Sequence, residues 1–160
     1  MNRIPIHLYK IAEERARRLA SKVLYMFDMY NDTKEKHYRN IKIGMLGEEL
    51  IRYLYTNSGW QVEYGDGVRI DLIARKGDIL RYNEIKVTTQ ACEFLPIPLY
   101  RHIKVDKRAW YVWLYINDSY YTVLGCISWK KVDKLPPMLS TGNGIKYLNI
   151  PTVMLQIFRV

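Results

Sequence analysis

The chain has 160 residues, 49% of them hydrophobic, and its 25 Lys and Arg outnumber 16 Asp and Glu for a formal net charge of +9. That length suits one domain, 1–160, and is short for two, while the apolar share excludes a disordered chain. No apolar run approaches the ~18 residues of a membrane span, and the charges interrupting "MNRIPIHLYKIAEERARRLA" exclude a secretory signal. The expectation is a soluble, cytoplasmic protein with no membrane partner.

Cys92 and Cys126 are too far apart for a zinc knuckle or a disulfide framework and read as small core residues. His7, His37 and His102 have no ligand-like spacing. The basic excess favours a polyanionic partner, nucleic acid before an anionic membrane. Fourteen tyrosines and four tryptophans offer rings that stack on bases, although most rings of this kind belong to cores.

Residues 6–30 carry Leu8, Ile11, Leu19, Val23 and Met26 at helical intervals and predict a first helix. Its Arg15, Arg17, Arg18 and Lys22 form either a solvated face or a contact with a DNA backbone. Residues 31–40, "NDTKEKHYRN", are polar and read as a loop with at most a short helical turn, ending an N-terminal extension over 1–40. A core segment, 41–130, opens with a second helix over 43–57, whose stripe is Ile43, Leu46, Leu50 and Leu54. Gly59 in "SGW" is placed to cap it.

From Trp60 the pattern turns to strands: "WQVEYG", then "VRIDLIAR", then "DILRYNEIKVTT" after the turn "KGD". Pro96 and Pro98 predict no regular element through the middle of 89–107. "AWYVWLYI" and "YYTVLGCISW", joined by "NDS", read as an aromatic hairpin, and the tail 131–160 as a Pro/Gly-rich loop and a last strand. Helices followed by a mainly antiparallel sheet predict an α/β chain of the mixed α+β kind, a central mixed sheet flanked by helices.

"NEIKV", 83–87, poses a problem for that sheet. Alternate side chains share a face, so Glu84 and Lys86 point one way and Ile85 the other. Burying such a pair costs desolvation that packing does not return. A surface ion pair, worth under ~1 kcal/mol, is the plain alternative, and the flanking Ile85 and Val87 argue against a wholly exposed strand. A hairpin turning at Gly77 sets Asp71 opposite Asn83 or Glu84, with cross-strand Cβ atoms about 5 Å apart. Two such carboxylates repel, and one pKa rises; a divalent cation makes the cluster favourable. Carboxylate, water and phosphate oxygens suit Mg²⁺ or Mn²⁺, which activates water and polarises a phosphodiester. Lys86 would orient the attacking water or stabilise charge on the pentacovalent phosphate.

"GMLGEEL" on a helix, then "GDGVRIDL", then "NEIKV" resembles the PD-(D/E)XK nuclease superfamily over about 45 residues, 44–88. The layout is similar to that of archaeal Holliday junction resolvases, including Thr88 after the lysine's neighbour. The resemblance implies a restriction-endonuclease-like fold and a site made of an acid on the first core helix, Glu48, with Asp71, Glu84 and Lys86. Ile70 stands where that family has proline, a position without chemistry. "GEEL" offers two acids, Glu48 and Glu49, and the spacing to "SGW" favours Glu48. The resemblance implies further that Asp71, Glu84 and the backbone carbonyl of Ile85 bind Mg²⁺ or Mn²⁺, that the substrate is DNA, and that copies pair into a homodimer. The aromatic strands near 110–129, read as exposed, would supply that pairing.

Thr88, Thr89 and Gln90 follow the lysine strand and either bond a phosphate or water, or simply end the strand. Asp66 is either an extra acid or a turn residue. Lys104, Lys107 and Arg108 join the first helix's cations as backbone contacts. The expected function is a Mg²⁺-dependent DNA nuclease; the alternative is a DNA-binding protein of the same fold without turnover.

Overall fold

The structure, a computed structural model, describes residues 1–23, 34–135, 139–142 and 145–160. Helix α1, Ile6–Val23, packs on helix α2, Lys34–Asn57. The expected end of the first helix, 24–30, the start of the loop, 31–33, and the side chains of Lys22 and Val23 lie outside the described residues. On α1 the buried stripe is Leu8, Ala12 and Ala16, with Ile11 beside it and Leu19 exposed. Its alanines are small, and small residues let two helices approach closely.

Helix α2 begins at Lys34, so residues 34–40 are helical where the sequence reads as loop. The reason is polar: Glu13 on α1 accepts from the Tyr38 hydroxyl (2.7 Å) and pairs with Lys42 (2.7 Å). These bonds fasten the first turns of α2 without an apolar stripe. Further along, Leu46, Leu50, Ile51 and Tyr55 are buried, a stripe slightly rotated from the expected one. At its end Gly59 takes a φ of +79° while Trp60 N–H donates to Tyr55 O, a Schellman cap.

Six strands form the main sheet: β1 Asn2–Arg3, β2 Gln61–Tyr64, β3 Leu72–Lys76, β4 Ile79–Thr88, β6 Trp110–Asn117 and β7 Tyr120–Ser128, in the order β1-β7-β6-β4-β3-β2. The sheet is mixed, because β4 and β6 run parallel. Parallel neighbours need a long crossover, and here it contains strand β5, Phe94–Pro98, and helix α3, Leu99–Lys104. The prolines therefore do not prevent regular structure. β5 is an edge of a second sheet, β5-β9-β8, with β8 at Leu139–Gly142 and β9 at Ile145–Pro151. Pro96 and Pro98, two apart, turn their nitrogens to the same edge, where no ladder bond is lost.

Each face of the main sheet has its own core. Helices α1 and α2 cover Leu72, Ala74, Ile85, Val112 and Leu114 on one face. On the other, Tyr111, Trp113 and Ile127 meet Leu95 and Ile97 of β5, Ile150 of β9, and Val132 of α4, Trp129–Val132. Strand β6 is thus buried on both faces; Tyr111 and Trp113, expected to be exposed, are covered, and on β7 Tyr120 and Leu124 are the large exposed side chains.

Two glycines allow close approaches. A Cβ on Gly47 would come within 2.3 Å of Val87 Cγ2, so α2 rides directly on β4 because residue 47 has no side chain. On β7 a bulge falls at Leu124, and Gly125, φ +145°, passes so close to Gln156 O that a Cβ would sit 2.6 Å from it. Gln156 bridges to Cys126, while β1 pairs with Tyr120 and Tyr121 at the other end of β7. Among the described residues no helix is long and apolar enough to cross a membrane.

Candidate active site

Leu72 pairs with Asn83, which brings Asp71 level with Glu84, one residue before the β3–β4 ladder begins. The backbone N–H of Asp71 donates to Asn83 O (3.0 Å), and its Oδ2 accepts from Ile85 N–H (2.7 Å). A side chain thus takes over where the β3 backbone has left β4. In a strand, N–H and C=O of one residue turn to the same edge, so the Ile85 carbonyl opens toward Asp71. Asn83 is buried and held by the Tyr55 hydroxyl, which donates to its Oδ1 (3.1 Å).

Glu84 is 0% exposed. Its Oε1 accepts from Lys86 Nζ at 2.6 Å and from Arg101 Nη2 at 3.3 Å. Its Oε2 is buried with no hydrogen-bond partner among the described residues. An unsatisfied carboxylate oxygen in a protein interior is costly. Burial first, then the charges of Glu84 and Glu48, push the Asp71 carboxyl up to about 8, against the pull of Lys86 and the Ile85 N–H. Asp71, Glu84 and Glu48 therefore act as one electrostatic group.

The two helix acids divide. Arg15 of α1 bonds both, Nη2 to Glu48 Oε2 (2.5 Å) and Nη1 to Glu49 Oε1 (2.6 Å). Glu49, 1% exposed, is also held by the Tyr64 hydroxyl (2.7 Å) and Arg52 (3.5 Å). The Glu48 pKa is raised by burial, partly offset by Arg15, with Glu49 and Glu84 adding to the rise. Glu48 is thus the acid that shares the field of Asp71 and Glu84, while Glu49 fastens α2 to α1 and β2.

Among the other residues singled out from the sequence, Arg15 is engaged with the acids and lies over the Tyr64 ring at 4.2 Å. Arg17 pairs with Glu13 and is largely exposed, as is Arg18. Lys104 is exposed at the end of α3, Lys107 lies 5.6 Å from the Trp129 ring, and Arg108 is bound to Asp106 and the Tyr82 hydroxyl. The Thr88 hydroxyl donates to Gln90 O (2.8 Å) and accepts from its N–H (3.3 Å), which ends the strand. Thr89 and Gln90 line a cavity of about 590 Å³ with Tyr9, Tyr38, Arg39 and Lys42. Asp66 accepts from the backbone N–H groups of Val68, Arg69 and Ile70 and pairs with the Arg69 side chain. It ties the loop leading into Asp71, a turn residue by its bonds.

Arg101 had no signal in the sequence. It lies in a segment without clear periodicity, and only the crossover that holds α3 against β5 and β9 brings it within reach of Glu84.

Among the described residues, no three or more His, Cys, Asp and Glu side chains gather closely enough to hold a metal ion by themselves. Two carboxylates remain, Glu84 with a buried bare oxygen and Asp71 with its pKa raised by burial and then by repulsion. A hard divalent cation that keeps several waters needs only one or two carboxylates, so this donor set fits Mg²⁺ or Mn²⁺. Comparison of the chain with models of known families, and with curated proteins, returns no match.

Proposed function

We propose that this chain is a Mg²⁺- or Mn²⁺-dependent nuclease that hydrolyses phosphodiester bonds in DNA, with a restriction-endonuclease-like fold of the PD-(D/E)XK kind. The observation that carries the reading is the buried, unpartnered Oε2 of Glu84 beside a carboxyl pushed up to about 8 at Asp71. Buried side-chain oxygens are in the large majority hydrogen-bonded, so a free acceptor here supports a ligand site over a structural joint.

Asp71, Glu84 and the Ile85 carbonyl would hold the metal, whose chemistry when bound is to acidify water and polarise a phosphate oxygen. Lys86, fixed on the face of Glu84, orients the attacking water and meets the charge that develops on phosphorus. Glu48, gripped by Arg15, completes the acidic rim and accepts a hydrogen bond from water. The net charge of +9 draws the polyanion in and makes binding fall with salt.

The test incubates the protein with supercoiled plasmid, linear single-stranded DNA and a synthetic four-way junction, with Mg²⁺, Mn²⁺ or EDTA. Cutting with either metal, absent in EDTA and lost in Glu84→Ala and Lys86→Ala, is the expected result, and the preferred substrate names the structural selectivity.

One observation favours a second reading, a DNA-binding protein of this fold without turnover. Lys86 and Arg101 occupy Glu84, and Arg15 occupies Glu48, so cations of the chain itself already neutralise those acids. Binding to all three DNA forms with no cutting under any metal would select it.

A further inference from the structure

We propose that Arg101 forms, with Lys86, a binding site for a backbone phosphate of DNA. This rests on the nuclease reading for the identity of the polyanion and adds to that site the guanidinium of Arg101, which the reading does not use. Two cations converge on one oxygen of one carboxylate, and a single lysine already neutralises it. Lys86 holds that oxygen at 2.6 Å, whereas Arg101 stands off at 3.3 Å. Arginines that serve a carboxylate frequently fork across both its oxygens, whereas Arg101 reaches Oε1 with one nitrogen and leaves Oε2 bare.

The guanidinium has five N–H donors. Among the described residues its hydrogen bond is to Glu84 alone, and its side chain is 28% exposed. The spare donors form the planar fork that matches two phosphate oxygens.

The helix beneath is built to hold this pose. His102 is buried, 2.8 Å from the Tyr111 hydroxyl and stacked on Trp129 with ring centroids 5.0 Å apart. The Trp129 indole N–H donates to the His102 carbonyl (3.1 Å). These bonds fix the rotation of α3. Tyr100, Ile103 and Lys104, the neighbours of this pair, stay exposed, so the outward side of α3 is open to a strand of nucleic acid.

The experiment measures binding of a short labelled DNA duplex over a salt series, without divalent cation, for wild type, Arg101→Ala, Arg101→Gln and Arg101→Lys, each checked for native circular dichroism. Losing one phosphate contact lowers the slope of log affinity against log salt by about 0.9 on B-form DNA. The expected result is that loss in Arg101→Gln and Arg101→Ala, with the slope retained in Arg101→Lys. Equal slopes in wild type and Arg101→Gln would overturn the proposal, as would a wild type that binds no DNA. A slope that falls in a protein that cuts nothing keeps the phosphate site and removes the nuclease. Cutting with an unchanged slope does the reverse. Where cutting occurs, Arg101→Gln should cleave at least tenfold more slowly, with the magnesium concentration for half-maximal rate unchanged. A shift in that concentration alone would mean that Arg101 acts only through Glu84.

Discussion

Two carboxylate clusters in this molecule gather cations and differ in what they leave over. Around Glu13, Lys42 and Tyr38 donate to the carboxylate and Arg17 adds a third bond. Those side-chain bonds, Lys42 first, pull its pKa down to about 2. Around Glu84 the cations crowd one oxygen and leave the other bare, and neighbouring Asp71 is driven upward instead. The first cluster spends its capacity on joining α1 to α2. The second retains unused acceptor capacity inside the protein, which is what a ligand site requires and a structural joint does not.

The contrast breaks most sharply at Glu84. Glu84→Gln keeps size and shape but removes the charge, and cleavage should fall by about 10²–10³, the range for losing one preorganised electrostatic group. A single-turnover assay that finds wild-type rates would end the catalytic reading of this acid. Gly47→Ala comes next. Its methyl would meet Val87, and overpacking costs about 1–3 kcal/mol, read as a lower urea midpoint. Glu48 rides on the same turn, so cleavage should drop by more than the unfolded fraction accounts for.

Asp71 gives the pH test. Its folded pKa lies above its unfolded one, so between about pH 4 and 8 the folded protein keeps a proton that the unfolded chain has released. Stability therefore falls as pH rises through that window. Glu48 shifts in the same direction, and His102, lowered by burial, works the other way below its ordinary value. The Asp71→Asn variant isolates this group: it should gain on wild type by more than about 1 kcal/mol between pH 5 and 8 in urea titrations without metal. Magnesium should close the gap.

Glu13→Gln is the smallest effect. At pH 7 it should cost under about 1 kcal/mol, as partly exposed ion pairs do. Because this pKa is depressed, the contribution is present above the ordinary carboxylate value and fades as pH falls toward 2. A loss as large as that at Gly47 would erase the distinction between the two clusters.

The sequence showed what local rules control. Alternation and the turn at Gly77 set the β3–β4 register, which brings Asp71 level with Glu84, and Gly59 caps α2 as its position implies. The start of α2 was hidden because Glu13, more than twenty residues away, supplies the bonds that periodicity would otherwise provide. The parallel β4–β6 pairing depends on the path of a crossover that contains two prolines, and side-chain spacing carries no record of that path. For the same reason Arg15 reads as part of a solvated face or a DNA-backbone contact, and Arg101 carries no signal at all. Their partners, Glu48, Glu49 and Glu84, are chosen by tertiary packing.

Strand β7 closes one side of the main sheet, and residues from opposite ends of the sequence share its outer rim: Asn2 and Arg3 at Tyr121 and Tyr120, Gln156 at Cys126. An uncovered rim of this kind is a template on which a second chain can add a strand. The bulge at Leu124 and Gly125 twists the stretch between the two covers, which further spoils it as a template. Removing either cover frees backbone N–H and C=O groups along an apolar, aromatic strand. Shortened forms of this chain should then fail first by sticking to one another.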